Sequence, residues 1–302
     1  MEAIKLLDEY AQALGCEIRK DVPMRDYTTF KIGGACERLV EPSSVEQISG
    51  VLAFCREHGI PLTLVGNGSN LLVSDTGIPG CVLHLGNLFS NITLEENNIV
   101  CCEAGASLAK ACVFAQKFAL SGLEFAYGIP GSVGGAAYMN AGAYGGEVKD
   151  VILSCEHVDE SGKQNRFTAN ELQFSYRHSI YSEKPYCITR IRFRLTLGNR
   201  EEIRNKMEDF MGRRRAKQPL EYPSAGSTFK RPEGAYASAL IDQCGLKGFS
   251  VGGARVSEKH AGFVINAGGA TYADVRELIC RVTGVVKEKT GFVLEPEVKI
   301  IP

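Results

Sequence analysis

Seven glycines fall within the nineteen residues from Gly128 to Gly146, in the run GIPGSVGGAAYMNAGAYGG. Each glycine gives up more conformational freedom on folding than alanine does, so an ordered segment this rich in glycine needs a reason. Ile129, Val133, Tyr138 and Met139 supply apolar anchors, while Ala136, Ala137, Ala141 and Ala143 keep the side chains small. Such anchors weigh against a merely flexible loop. The pattern predicts an ordered wall that something flat or charged approaches at backbone distance. A second cluster, Gly66-Asn67-Gly68-Ser69-Asn70, follows the apolar run PLTLV (61–65). It leads into Leu71-Leu72-Val73 rather than a helix, and no lysine follows, so neither a P-loop nor a dinucleotide fingerprint applies. It reads either as a hairpin turn or as a nest of consecutive N–H groups that grips a pyrophosphate.

Around these loops the hydrophobic pattern alternates between helix and strand. Ile4, Leu7, Ala11 and Leu14 predict an amphipathic helix over 3–14, and 27–34 reads as extended. ERLVEP (37–42), a Ser43-x-x-Glu46 capping box opening a helix with Val45, Ile48, Leu52 and Cys55 inward, and 61–65 together predict a right-handed βαβ unit. Further strands are expected in LLVSD, CVLHLG and NIVCCEAG, with a helix from Ser107 and strands at 151–158 and 187–196 framing FSYRHSIY. A charged helix then carries the seam Ile203, Met207, Phe210, Met211. A last helix, Thr271–Thr290, turns Val275, Leu278, Ile279, Val282 and Val286 inward before the strand-like EPEVKII. No internal repeat or low-complexity tract interrupts the chain.

Composition excludes several classes. At 302 residues the chain suits roughly two to three domains of ~100–150 residues. With 34 Lys+Arg against 35 Asp+Glu, no overall field draws it to DNA or an anionic membrane, so no nucleic-acid or membrane partner is expected. No run approaches the ~20 apolar residues of a membrane span, and Glu2, Asp8 and Glu9 make the start unlike a signal peptide. The 11 cysteines form no CxxC pair, and the five histidines show no ligand spacing. The expectation is small apolar cysteines in a reducing cytoplasm, and no metal site.

Five strings in order, GNGSNLLVSD, GIPGSVGGAAYMNAGAYGGE, FSYRHS, YPSAGSTFKRP and LEPEV, resemble the UDP-N-acetylenolpyruvoylglucosamine reductase family from about Tyr27 to the C-terminus. The resemblance implies an α+β fold: a two-part FAD-binding region of vanillyl-alcohol-oxidase (PCMH) type, followed by an α/β substrate domain. The corresponding division is 1–85 and 86–198 for the two FAD-binding parts and 199–295 for the substrate domain, with 296–302 a candidate to return to the first part. It further implies non-covalent FAD, NADPH as electron donor, and reduction of the enolpyruvyl ether of a nucleotide sugar to the UDP-N-acetylmuramate precursor of peptidoglycan. At this length the chain matches the shorter type, without the substrate-clamping tyrosine loop. A monomer or weak oligomer is expected.

Reducing an enol ether beside a carboxylate needs a hydride source, a cation for the developing enolate charge, and a proton donor. The cofactor meets the first need. Arg177 in FSYRHS suits the second, since its guanidinium can fork onto a carboxylate. Ser227 in SAGSTFK is the candidate proton donor. It is not a hydrolase elbow, because Phe229 stands where that motif needs glycine. Glu297, with Glu295 on the same face of an extended segment as the alternative, would assist at the enol. Tyr144, Tyr176 and Lys217 are the candidate substrate contacts, Lys217 for the diphosphate; the rest of the Arg213–Lys217 cluster complements the helix C-terminus. His178 is given a structural role. Gly66, Asn67, Gly68, Ser69, Asn70, Gly128, Gly131, Ser132, Gly134, Gly135 and Asn140 are the candidate cofactor contacts. Two other readings compete: an FAD-linked oxidase of hydroxy acids or sugars, and a non-catalytic nucleotide-sugar sensor.

Overall fold

A computed structural model describes residues 2–302. Its helices are α1 (Glu2–Ala13), α2 (Val45–Glu57), α3 (Leu108–Lys117), α4 (Val133–Tyr138), α5 (Arg200–Lys217), α6 (Ala237–Gln243) and α7 (Tyr272–Thr290). The chain forms two compact units. The first comprises residues up to Lys20, Arg38–Asn67 and Pro79–Arg213; the second comprises Asp21–Glu37, Gly68–Ile78 and Arg214–Pro302.

In the first unit an antiparallel five-stranded sheet runs in the order Gln164–Thr168, Ile152–Val158, Cys187–Arg194, Ile99–Glu103, Ile92–Glu95. A four-stranded sheet, ordered Glu17–Pro23, Ala35–Glu41, Ile78–His84, Leu62–Val65, has its last two strands parallel. The expected βαβ unit is therefore split. Strands 35–41 and 62–65 share a sheet, but Ile78–His84 lies between them. The α2 cap also sits one residue on. Gln47 N–H donates to Ser44 Oγ (3.2 Å), and the Gln47 amide oxygen accepts from Ser43 N–H (2.6 Å). Ser43 and Ser44 offer the same capping chemistry in adjacent frames, and Val45 is buried as expected (4% exposed).

The second unit has an antiparallel sheet ordered Ser224–Ser227, Phe263–Asn266, Ala254–Val256, Ser250–Val251. Against its strands packs α7, whose five expected inward residues are all buried. Thr271 and Asp274 form a capping box at the start of α7, and Gly291 ends it in the left-handed region (φ 78°). Strand Lys299–Ile301 pairs in parallel with Leu71–Val73.

These units follow lines other than cuts at 85 and 198. Phe30, Ile32 and Leu72 bury in the core of the second unit. Thr29 Oγ1 donates to Ser224 O (2.7 Å), Asn266 Nδ2 donates to Phe30 O (3.3 Å), and Tyr272 N–H donates to the Asp75 carboxylate (3.0 Å). Such ties join segments some 200 residues apart, which local periodicity does not report. Ten of the eleven cysteines are buried, Cys280 being the exposed one, and none is in a disulfide. Burial pushes Cys101 up to about 11 and Cys187 up to about 12, so these thiols stay protonated and unreactive.

Candidate active site

The 128–147 run is ordered, as its apolar anchors predict, but three of its seven glycines are pressed against their own chain. A methyl on Gly134 would lie 2.8 Å from Ala104 Cβ; one on Gly142 would meet Glu147, and one on Gly146 the Phe125 ring. The glycines there allow close internal packing, not only approach by a ligand. Ser132 caps α4, its Oγ accepting from Gly135 N–H (3.2 Å). Val133 N–H donates to Ala106 O and Gly134 N–H to Ala104 O, both at 2.8 Å, while Gly131 O accepts from Leu108 N–H (3.0 Å). The first-turn amides of α4 are thus engaged internally. Gly128 is half-buried, and Gly135 presents the open face of the wall.

The 66–70 loop differs. Gly66 backs onto Ser132, leaving no room for a side chain. Gly68, buried and left-handed (φ 58°), would put a methyl into the Tyr27 carbonyl. Among the described residues, the backbone N–H groups of Gly66, Asn67, Gly68 and Ser69 donate to no partner within the chain. Consecutive unengaged amides are what an anionic group such as a pyrophosphate requires, so this loop fits the nest reading rather than the plain turn. These residues fit FAD; α4 supplies the adjoining segment's shape and not its donors.

Left-handed backbone marks three candidate residues of the first unit: Asn140 (φ 45°), Tyr144 (φ 53°) and Arg177 (φ 55°). Non-glycine residues adopt this conformation rarely, and it concentrates where a side chain must be aimed. Tyr144 and Gly145 turn a small hairpin in which Ala143 pairs with Gly146. The Tyr144 ring stacks on Phe210 of α5 (4.6 Å between centroids, 3° between planes). Tyr176 and Arg177 form the tip of a turn closed by Ser175 and His178, which exchange backbone hydrogen bonds of 3.2 and 3.3 Å. The guanidinium carbon of Arg177 lies 5.2 Å from the Tyr176 ring centre. His178 contacts Glu183 (3.1 Å), in keeping with a structural role.

The Asn140 side chain is engaged within the chain. Its amide donates to Glu147 Oε2 (2.9 Å) and Ser175 O (3.0 Å), and its oxygen accepts from Lys149 N–H (3.0 Å). With the residue 1% exposed, the side chain fastens the loop from within. Glu147 and Ser179 were not singled out from sequence, and Phe210 was read only as part of the α5 seam. Glu147 bonds left-handed Asn140 and Phe210 stacks on left-handed Tyr144, links that exist only in three dimensions.

In the second unit, Ser227 ends its strand after a bulge at left-handed Gly226 (φ 76°), and its Oγ donates weakly to Phe229 O (3.4 Å). The next residues pair with the C-terminal segment: Glu297 N–H donates to Thr228 O and Lys230 N–H to Glu295 O, each at 2.8 Å. Ser227 and Glu297 therefore sit on neighbouring segments, one residue out of register. Asn70 Nδ2 donates to Glu297 O (3.0 Å), which joins the glycine loop to the same segment. The two candidate carboxylates separate clearly. Glu295 is exposed and paired with Lys230 (3.2 Å), whereas Glu297 is half-buried. Lys217 is exposed at the end of α5, and Arg213 is paired with Asp209 (2.8 Å).

Comparison with known proteins places these features. Residues 36–168 match the family model of the FAD binding domain, and 218–301 match that of the UDP-N-acetylenolpyruvoylglucosamine reductase C-terminal domain. The UDP-N-acetylenolpyruvoylglucosamine reductase of Caldanaerobacter subterraneus subsp. tengcongensis is 50% identical, over 92% of each chain. That of Agathobacter rectalis is 48% identical over 99% of this chain and 98% of its own. The crystal structure of the Thermus caldophilus UDP-N-acetylenolpyruvylglucosamine reductase superposes with a TM-score of 0.81 at 36% identity, covering 95% of this chain and 100% of that one. Glucooligosaccharide oxidase from Acremonium strictum shares the fold alone (TM-score 0.51, 11% identity, 96% and 60% covered). The architecture is the α+β, vanillyl-alcohol-oxidase-like one, and the chain belongs to the UDP-N-acetylenolpyruvoylglucosamine reductase family.

Proposed function

We propose that this chain is an FAD-containing, NADPH-dependent reductase that converts the enolpyruvyl ether of UDP-N-acetylglucosamine enolpyruvate to UDP-N-acetylmuramate, in the cytoplasmic synthesis of peptidoglycan precursors. The observation that carries it is near-full-length kinship with reductases of that name, together with unengaged backbone amides at 66–69. Held in this site, FAD would supply the hydride-transfer chemistry that links NADPH to the vinyl carbon. Gly66, Asn67, Gly68 and Ser69 would hold the pyrophosphate through backbone N–H groups, with Gly128, Gly131, Ser132, Gly134 and Gly135 forming a wall of the site. Arg177 would grip the substrate carboxylate and stabilise the charge that develops on it. The Ser227 hydroxyl would give its proton to the carbon left electron-rich, and Glu297 would hydrogen-bond at the enol oxygen. Tyr144, Tyr176 and Lys217 would orient the nucleotide sugar. In this reading 1–85 and 86–198 serve the cofactor, with 296–302 returning to the first, and 199–295 serve the substrate; the chain works as a monomer or weak oligomer. The test is to supply NADPH and the enolpyruvyl nucleotide and weigh the product. A gain of two hydrogens that depends on enzyme and NADPH supports the reading, and unchanged substrate with a fully FAD-loaded chain refutes it.

A further inference from the structure

The Asn140 amide touches no open surface, yet all three of its hydrogen-bonding groups are used, and one of them leads towards Arg177. Arg177 stands on a four-residue turn, 175–178, held at left-handed φ. One flank of that turn is held by the last residue of α4 and the other by Asn140, two residues beyond it. Before the tip, Ser175 O accepts from Asn140 Nδ2 (3.0 Å). After the tip, wholly buried Ser179 donates through Oγ to Tyr138 O (2.7 Å). The second amide hydrogen of Asn140 goes to Glu147 (2.9 Å), whose carboxylate also accepts from Lys149 Nζ (2.8 Å). Lys149 first, then Asn140, hold Glu147 below the usual carboxylate range, and the Arg177 charge acts in the same direction. Glu147 therefore stays ionised and keeps the amide oriented with its N–H groups toward Ser175.

We propose that Asn140 is a positioning residue for Arg177: by donating to Ser175 O it fixes the turn from which the guanidinium meets the substrate carboxylate. The residue type follows from the geometry. Asparagine accepts a left-handed backbone, reaches two acceptors at once and carries no charge to repel Glu147. Aspartate has the shape but would face both acceptors with lone pairs. The proposal rests on the role given to Arg177 above.

The test uses the FAD-loaded full chain and follows the two half-reactions separately by stopped flow. Asn140→Gly keeps the left-handed backbone unstrained and removes only the side chain. Flavin reduction by NADPH should stay within about twofold of the parent. Reoxidation by the enolpyruvyl nucleotide should slow ~10–100-fold, the scale of a ~1 Å misplacement. Asn140→Asp should behave alike. Added to Arg177→Ala, Asn140→Gly should slow reoxidation by less than about threefold, because nothing remains to be positioned. Equal slowing of both half-reactions, or full multiplication of the two defects, would overturn the proposal and leave Asn140 merely structural. If the Asn140 variants fail to fold, Ser179→Ala releases the other flank and is read by the same pair of rates. A parent chain whose reduced flavin ignores the nucleotide overturns the reaction itself, and this proposal with it. A competent parent with an indifferent Asn140→Gly overturns this proposal alone.

Discussion

A single methyl added at Gly134 should measure how tightly α4 is held. In Gly134→Ala the new carbon would stand 2.8 Å from Ala104 Cβ and 3.1 Å from Ala104 O. Carbon atoms rest at about 3.5–4.0 Å, so α4 must retreat by roughly 0.7–1.2 Å. The same helix turn hangs on Gly134 N–H to Ala104 O and Val133 N–H to Ala106 O, both at 2.8 Å. A retreat of that size takes at least one beyond hydrogen-bonding range. Overpacking costs about 1–3 kcal/mol, the weakened bond about 1 kcal/mol, and the better helix propensity of alanine returns less than about 1 kcal/mol. The net loss should be about 1–3 kcal/mol, or a fall in Tm of about 2–5 °C for a chain this size. Thermal unfolding of the flavin-free and FAD-loaded forms reads it, with Gly212→Ala as comparator. At Gly212 no atom lies within 4 Å of the added carbon, so that helical change should stabilise by about 0.5–1 kcal/mol. A Gly134→Ala chain melting within about 1 °C of the parent would show that α4 slides freely and refute the packing argument.

Three further outcomes are expected. Ser227→Ala should spare flavin reduction by NADPH and slow reoxidation by ~10²–10⁴-fold, with partial recovery in Ser227→Cys; equal slowing of both steps in stopped flow would make the serine a shaping residue only. Glu297→Gln should slow the same oxidative step, while Glu295→Gln, which removes only an exposed pair with Lys230, should leave turnover within about twofold. Burial works to raise the Asp8 pKa, but hydrogen bonds from Arg38 (2.5 Å) and Lys20 overcome it and hold the carboxylate below its usual range. Stability from this pair should be complete above the unfolded value of about 3.9 and be lost as pH falls through the depressed folded value. Asp8→Asn should cost on the order of 3 kcal/mol at pH 7 and flatten the acid limb of a denaturation-versus-pH curve; an unchanged limb would count against it.

What the amino-acid pattern could convey depended on how local the cause was. The seam of α7 follows from side chains three and four apart, and its Thr271–Asp274 cap is local too. The α2 cap slipped by one residue because Ser43 and Ser44, with Glu46 and Gln47, present the same chemistry in two frames. Glycine density at 128–146 signalled close backbone approach without saying what approaches. At Gly134, Gly142 and Gly146 it is the chain itself. Conversely, Gly66 to Ser69 matched no phosphate-loop fingerprint, yet among the described residues their amides find no partner within the chain. The placement of 21–37 and 68–78 in the second unit rests on Phe30, Ile32 and Leu72, whose partners lie far along the chain. Nor could spacing separate Glu295 from Glu297, since an extended segment puts both on one face; the Lys230 pair separates them.

An anaerobic spectral titration of the FAD-loaded chain tests the proposed reaction most directly. The oxidised flavin spectrum should bleach on addition of one equivalent of NADPH and remain bleached in buffer alone. Adding the enolpyruvyl nucleotide should then restore the oxidised spectrum, with one product formed per flavin. A chain that bleaches but is recoloured only by oxygen, or that takes up no FAD on reconstitution, would contradict the assignment.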